Sequence, residues 1–211
     1  MRTVCLVAGM LLLAVAWLAV LPFGGRGSFT IHMIVHMSVV AGAAPLIAIA
    51  LSGARYDVTT RWPWFSPVVA SLVELVAVWG WHLPSARAFV EASWFATALE
   101  QMTFFGAGTL LWLSCLGGAL EGREGRRLAG TFGLLFTSMH MTLLGALLAL
   151  SPRPLYGVDA VTCFGVVLDA AVDQQAGGVV MLLVGAAVYL AGGVVLLSST
   201  LEPGKTSGGP V

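Results

Sequence analysis

The sequence is poor in charge. Only 9% of its 211 residues are Asp, Glu, Lys or Arg, against roughly 25% in ordinary soluble domains, and 58% are hydrophobic. The formal net charge is zero, so there is no electrostatic reason to expect a nucleic-acid partner. A chain with so few charges and so much apolar surface is expected to fold in a lipid bilayer, as an integral membrane protein.

Cysteine is also scarce, and its spacing carries no signature. The three cysteines, Cys5, Cys115 and Cys163, stand far apart with no CxxC pair, so neither a disulfide framework nor a thiolate cluster is indicated. The sequence contains neither the HExxH motif of zinc peptidases nor the GxSxG motif of serine hydrolases. Nothing in it supports enzymatic chemistry, and a non-enzymatic function is expected.

Long apolar runs dominate the chain instead. Short breaks rich in Pro, Gly and Arg divide them into six segments, most of them near the ~20 residues that cross a bilayer. The predicted spans are Val4–Leu21, Phe29–Leu51, Ser66–Trp81, Trp94–Leu116, Leu128–Leu150 and Gly177–Leu197. The expected fold is all-α: one domain over residues 1–200, a bundle of about six transmembrane helices, followed by a flexible cytoplasmic tail at 201–211.

The basic residues predict the orientation. With a cytoplasmic N-terminus, seven Lys or Arg residues fall on the inner side and three on the outer side, which favours both termini inside. Met1 and Arg2 before an apolar run also resemble a signal peptide. No A-x-A cleavage site follows and the run is long, so a retained first helix is favoured over a cleaved one.

Two His-Met pairs open the second predicted span. His32 and His36 are four residues apart and therefore share one face of a helix, while Met33 and Met37 form a second row beside them. Polar side chains inside a membrane helix are costly and indicate a functional site by default. Imidazole with thioether is a ligand set suited to copper, Cu(I) in particular. The alternative is that these histidines bond between helices and the methionines fill the core.

All four histidines fall in the outer half of the predicted bundle, which favours a shared site. His140, flanked by Met139 and Met141, lies in the fifth span. The predicted metal ligands are His32, His36 and His140, with Met37 and Met141 as thioether partners. His82 is a further candidate ligand, or it lies at the membrane interface beside Trp79 and Trp81.

Several other polar residues fall within or next to the spans. Glu100 with Gln101 could orient a liganding imidazole or simply pair internally, and the two readings stay open. For Glu74, in the third span, a structural role is favoured. Asp173 precedes the last span on the outer side, where an acid suits the start of a helix.

The order of these motifs resembles a known family. HMxxHM at residues 32–37, WHLP at 81–84, PRPLY at 152–156 and DQQ-x-GG at 173–178 occur in the sequence of the polytopic CtaG-like cytochrome c oxidase assembly factors. The resemblance covers about His32 to Leu197. It carries over His32, His36, His82, Pro45, Glu100 and Asp173 as recurrent polar or special sites.

The resemblance implies assembly of haem-copper oxidase at the outer face of a bacterial inner membrane, through copper handling. Oxidase subunits are then the expected partners, with periplasmic copper chaperones as further candidates. The sequence departs from the family at the fourth span, where many relatives have HALEH and this chain has Thr97 to Gln101 reading TALEQ. If those histidines are ligands elsewhere, the site here must be rebuilt, for which His140 is the candidate.

Three alternatives to copper delivery remain. A membrane haem protein would use axial histidines on facing helices, such as His36 and His140. A copper transporter would need polar groups that continue to the inner face, where Glu74 is the main one. A scaffold without metal would hold oxidase subunits through helix contacts.

The positive bias makes a topology prediction. Reporter fusions after Gly122 should behave as cytoplasmic and fusions after Gly157 as periplasmic, because basic loops are retained inside. Paired phosphatase and fluorescent-protein fusions at both positions measure this. The reverse pattern would place the histidines on the inner side.

Overall fold

The computed structural model describes residues 1–25, 27–55, 57–62, 65–117, 123–157 and 159–201. Within these residues the chain is nearly all helical, with one small hairpin. The helices are α1 (Arg2–Phe23), α2 (Phe29–Leu51), α3 (Val58–Arg61), α4 (Pro67–Trp81), α5 (Pro84–Ala92), α6 (Trp94–Leu116), α7 (Arg123–Ala149) and α8 (Ala170–Leu201). The strands are β1 (Val161–Cys163) and β2 (Val166–Leu168). The predicted tail after Leu201 lies outside the described residues.

The number of spans is lower than six when length and apolarity are both required. Among the described residues, four helices meet both criteria, namely α1, α2, α7 and α8. A fifth candidate is the pair α4 and α5, which meets them together but is bent by 72°. Helix α6 has 23 residues, about 35 Å at 1.5 Å per residue, and carries Glu100 and Gln101; it is not among these candidates. Six spans and cytoplasmic termini therefore stay predictions.

Six helix ends meet at one end of the bundle. Helices α1, α4 and α7 end there, and α2, α6 and α8 begin there, since consecutive long helices run in opposite directions. Helix α2 contacts α1, α6 and α8, while α4 packs between α6 and α7. Because His32 and His36 lie in the first turns of α2, this is called the histidine end below.

Helix α2 is irregular in its middle. Its segment Ser38–Ala43 has the wider π-helical turn, immediately before Pro45. Proline lacks an N–H and its ring crowds the carbonyl four residues earlier, so the regular bonding pattern is interrupted here. The indole of Trp112 donates to the carbonyl of Val40 at 3.1 Å and restores a partner to this part of the backbone.

The loop between α7 and α8 departs from the all-α prediction. It contains an antiparallel hairpin in which Val161 pairs with Leu168. Its two turn residues, Phe164 and Gly165, both have positive φ, of 46° and 82°, as a type I′ turn requires. The backbone N–H of Phe164 donates to the carbonyl of Gly24 at 2.8 Å, so the hairpin lies against the turn between α1 and α2.

Two glycines let α7 and α8 approach closely. A Cβ on Gly178 would lie 2.6 Å from the backbone nitrogen of Ala149, and a Cβ on Gly145 would lie 2.9 Å from the carbonyl oxygen of Gly178. Both contacts are with backbone, which cannot rotate away. Close backbone approach at small residues is a standard way for membrane helices to pack, so these glycines set the distance between α7 and α8.

Gly178→Ala should therefore destabilise the bundle although alanine favours helix. We expect a loss of about 1–3 kcal/mol from overpacking, which outweighs the roughly 1 kcal/mol gain in helix propensity. Gly106→Ala on α6 is the matched control, because a Cβ there meets no atom within 4 Å. Thermal unfolding of both variants in detergent measures the effect. Equal stability of the two variants would contradict the packing argument.

Candidate functional site

Three imidazoles come together at the histidine end. The ring centroids of His36 and His82 are 5.5 Å apart, those of His32 and His82 5.8 Å, and those of His32 and His36 6.4 Å. All three side chains are buried. We call His32, His36 and His82 the histidine cluster. The prediction that His32 and His36 share a face of α2 agrees with this geometry, and His82 joins them from α4.

The local sequence explains the position and tautomer of the His82 side chain. It follows the last residue of α4, and Pro84 starts α5 two residues later, so the chain bends directly after the imidazole. Its Nδ1 lies 2.6 Å from the carbonyl oxygen of Val78, which can only accept. His82 therefore carries its hydrogen on Nδ1 and leaves the lone pair on Nε2 open.

Aromatic rings enclose the cluster on two sides. Phe104 of α6 lies against His36, with ring centroids 4.0 Å apart. Phe29, the first residue of α2, packs near His32 and His82 and stacks on Tyr156 with a centroid distance of 4.5 Å. The rings keep lipid and bulk water from the imidazoles.

Tyr156 also ties the PRPLY loop to the cluster. Its hydroxyl donates to the backbone carbonyl of His82 at 2.7 Å. Burial raises the pKa of Tyr156 to about 12, so the phenol keeps its hydrogen and remains a donor at physiological pH. The loop is thereby held over the histidine end.

A buried arginine contacts the cluster from α5. Arg87 places Nη1 2.8 Å from Nδ1 of His32 and Nε 3.1 Å from a carboxylate oxygen of Glu91. Arg87 is only 3% exposed. A guanidinium has no acceptor, so Nδ1 of His32 must accept this hydrogen bond.

Glu100 and Gln101 link the same histidine to α1. Oε2 of Glu100 lies 3.5 Å from Nδ1 of His32 and accepts from the amide of Gln101 at 3.3 Å. The side-chain oxygen of Gln101 in turn accepts from the indole of Trp17 at 3.1 Å. Glu100 thus lies beside an imidazole and also has an internal donor in Gln101, so both readings of Glu100 stay predictions.

Asp173 holds the start of α2. Its carboxylate accepts from the hydroxyl of Ser28 at 2.6 Å and from the backbone N–H groups of Phe29 at 2.5 Å and Thr30 at 3.2 Å. Its carbonyl also accepts from the hydroxyl of Thr30 at 2.8 Å. The N–H groups of Phe29 and Thr30 are among those that a helix leaves without internal partners. Asp173 thus joins the first turn of α8 to the first turn of α2.

Gln174 makes the neighbouring connection. Its side-chain oxygen accepts from the backbone N–H of Leu155 at 2.6 Å, and its amide donates to the carbonyl of Leu148 at 3.1 Å. The residue before Tyr156 is thereby attached to the start of α8. Together Asp173 and Gln174 position two sides of the histidine end.

Several buried polar atoms of the described residues have no hydrogen-bond partner, among them both ring nitrogens of His140 and four ring nitrogens of the histidine cluster. Nε2 of His32, both nitrogens of His36 and Nε2 of His82 are buried and have no hydrogen-bond partner among the described residues. Buried polar atoms usually have partners, so these nitrogens are available to a ligand. Among the described residues, no group of three or more His, Cys, Asp or Glu side chains has an arrangement that could hold a metal ion without adjustment.

Comparison with known protein families identifies the chain. The family model for the cytochrome c oxidase caa3 assembly factor, Caa3_CtaG, matches residues 1–202. The chain belongs to this family. No curated protein and no solved structure matches it. The resemblance drawn from the sequence motifs is confirmed, and the family's assembly role suggests a non-catalytic function in contact with cytochrome c oxidase.

The remaining predicted ligands of this Caa3_CtaG protein lie elsewhere in the bundle. His140 is buried on α7, and its ring packs edge-on against Phe136 with centroids 5.6 Å apart. Met141 lies where Gly185 of α8 approaches α7, and Met37 lines a groove with Val180 and other residues of α2 and α8. The contacts described for these three residues do not include the histidine cluster, and their role as ligands stays a prediction.

Glu74 has the internal partner that a structural role requires. The hydroxyl of Tyr189 on α8 donates to its Oε1 at 2.7 Å. Trp112 stacks on Tyr189 with ring centroids 5.5 Å apart. Because Trp112 also bonds Val40, this network braces the irregular part of α2.

Some residues of the site were not predicted from sequence. Arg87 was only one of the three basic residues assigned to the outer side. Nothing in the sequence distinguishes Phe29, Phe104 and Tyr156 from ordinary apolar or loop residues. The one available signal was PRPLY next to DQQ, since two uncommon motifs flanking one loop indicate a fixed loop. The contact between Arg87 and His32 spans 55 residues and has no local signature.

Loss of the Asp173 carboxylate should loosen the histidine end. Asp173→Ala leaves the buried donors of Ser28, Phe29 and Thr30 without their acceptor, at a cost of at least about 1–3 kcal/mol. Amide hydrogen exchange should accelerate at Phe29 and Thr30, and the unfolding temperature in detergent should fall. Asp159→Ala, at an exposed position in the loop before α8, is the control. Unchanged exchange at the start of α2 would show that Asp173 does not hold it.

Proposed function

We propose that this assembly factor binds copper, as Cu(I), at the histidine cluster and passes it to the cytochrome c oxidase that it helps to assemble. The observation that carries this proposal is the set of buried, unpartnered ring nitrogens on three neighbouring imidazoles. Copper is cargo here, held for transfer to the oxidase. The family's role in assembly supports the choice of client.

The spacing of the rings fits one ion after a small adjustment. Three imidazoles with metal–nitrogen distances of about 2.0 Å have ring centroids roughly 5–5.5 Å apart. The observed separations of 5.5, 5.8 and 6.4 Å are slightly larger. His32 and His36 are also nearly parallel, at 7°, so rotation of at least one ring is needed to aim both nitrogens at one point.

An opening beside His32 supports delivery of the ion to a partner rather than its permanent storage. A narrow cleft of about 10 Å³ adjoins His32 and is lined also by Gly25, Arg87, Glu91 and Thr97. Glu91 is 40% exposed, so the cleft reaches the surface. A site with few ligands and an opening can release its ion to a partner, whereas a closed site with a full ligand shell holds it.

The proposed setting follows the orientation read from the sequence. The histidine end then lies at the outer side of a bacterial inner membrane, where oxidase subunits would receive copper and periplasmic copper chaperones would supply it. Helices α1, α2, α7 and α8 are apolar and long enough for that membrane. The protein acts without catalysing a reaction of its own.

Copper content of histidine variants tests the site. His36→Ala and His82→Ala should each lower the Cu(I) bound by detergent-purified protein, because each removes one ligand while most of the packing of the bundle lies elsewhere. His140→Ala is the informative comparison: it should retain copper if the cluster alone is the site, and lose it if the sequence-based ligand set is right. Stoichiometry by elemental analysis and affinity by chelator competition measure this. Wild-type copper content in both cluster variants would refute the site.

The client is tested in cells. A strain carrying His36→Ala should make oxidase polypeptides that reach the membrane with little copper, while haem insertion is less affected. Graded copper in the medium should partly restore oxidase activity, because the defect is one of occupancy. Normal copper in an inactive oxidase would refute delivery and favour the scaffold function.

A further inference from the structure

Two side chains of opposite charge approach the same nitrogen of His32. Nη1 of Arg87 is 2.8 Å from Nδ1, and Oε2 of Glu100 is 3.5 Å from it. A guanidinium can only donate and a carboxylate can only accept. Nδ1 therefore cannot satisfy both at once, since it carries either a lone pair or a hydrogen.

In the observed arrangement Arg87 has the shorter contact. The neutral imidazole then has its lone pair on Nδ1 and its hydrogen on Nε2. A nitrogen that carries hydrogen has no lone pair for a metal. His82 has the opposite tautomer, because its Nδ1 donates to Val78 and its Nε2 is open. The cluster as seen thus contains one imidazole in the wrong tautomer for binding through Nε2.

We infer that Arg87 and Glu100 compete for Nδ1 of His32 and so switch this histidine between a tautomer that binds copper and one that does not. The inference rests on the proposed function and concerns how the same site holds and releases its ion. With Arg87 on Nδ1, Nε2 carries the hydrogen and His32 is no ligand. With Glu100 on Nδ1, Nδ1 carries the hydrogen and Nε2 is open.

The charges of Arg87 and Glu100 affect copper binding in the same direction as the tautomer of His32 does. A guanidinium beside His32 repels a bound cuprous ion in these buried surroundings, whereas the Glu100 carboxylate attracts it. Carboxylates that accept from the second nitrogen of a metal-bound histidine also strengthen the ligand. Both effects make the Glu100 arrangement the holding state and the Arg87 arrangement the releasing state.

Arg87 is placed so that it can leave. It lies on α5, a nine-residue helix bent by 72° from α4, at the cleft that reaches the surface. Its Nε is already 3.1 Å from Glu91, one helical turn further along and 40% exposed. Glu91 offers the guanidinium a partner when it gives up Nδ1 of His32, so the cation need not be left unpaired in the membrane.

The tautomer can be measured without copper. In detergent-purified protein labelled with 15N-histidine, the Nδ1 signal of His32 should be that of a nitrogen without hydrogen. In Arg87→Gln and Arg87→Met it should move to that of a nitrogen with hydrogen. Arg87→Lys should restore the wild-type signal, because lysine also only donates. Arg153→Gln, which removes one exposed cation at the same end, is the control and should change nothing.

Copper affinity should change in the direction that the tautomer of His32 predicts. Arg87→Gln should bind Cu(I) about 10-fold more tightly or better, and Glu100→Gln should bind it about 10–100-fold more weakly, as removal of such carboxylate partners does at other sites. Addition of Cu(I) to labelled wild-type protein should move the His32 hydrogen from Nε2 to Nδ1, which tests the switch even if the Arg87 variants fail to fold.

The outcomes separate the two proposals. An unchanged His32 signal in the Arg87 variants, or in wild-type protein that has bound Cu(I), overturns the switch and leaves copper binding intact. A tautomer that responds to Arg87 in a protein that binds no Cu(I) overturns the proposed function, and with it the purpose of the switch.

Discussion

The carboxylate of Asp173 holds the start of α2, and the geometry of the histidine end depends on where α2 starts. One acid from α8 accepts three donors from residues 28–30. Helix starts have N–H groups without partners, and a buried start is costly unless an acceptor reaches it. Because His32 and His36 follow within two turns, the same contact sets the depth and direction of both imidazoles.

The buried polar groups of the bundle are of two kinds, those with hydrogen-bond partners and those without. Gln101 bonds to Glu100 and Trp17, and Tyr189 bonds to Glu74. In the histidine cluster, by contrast, ring nitrogens face Phe104 and one another without partners. A membrane interior offers no water to satisfy such atoms, so these nitrogens are available to a ligand.

The family motifs acquire physical meanings from these contacts. In WHLP, proline ends the helix where His82 must turn toward the cluster. In PRPLY, the tyrosine stacks on Phe29 and bonds the backbone of His82. In DQQ-x-GG, the acid holds α2, Gln174 holds the PRPLY loop, and Gly178 admits the backbone of α7. Each motif serves the same end of the bundle, although the motifs are spread over most of the chain.

Helix positions were largely predictable from the sequence alone. The spans Phe29–Leu51 and Trp94–Leu116 coincide with α2 and α6, because apolar runs bounded by Gly, Pro and Ser determine where helices can form. The i, i+4 spacing likewise determined that His32 and His36 share a face. Tertiary structure alone decided that His82 joins them and that Arg87 reaches His32. Local sequence sets the face of a helix, but which faces meet depends on the packing of all the helices together.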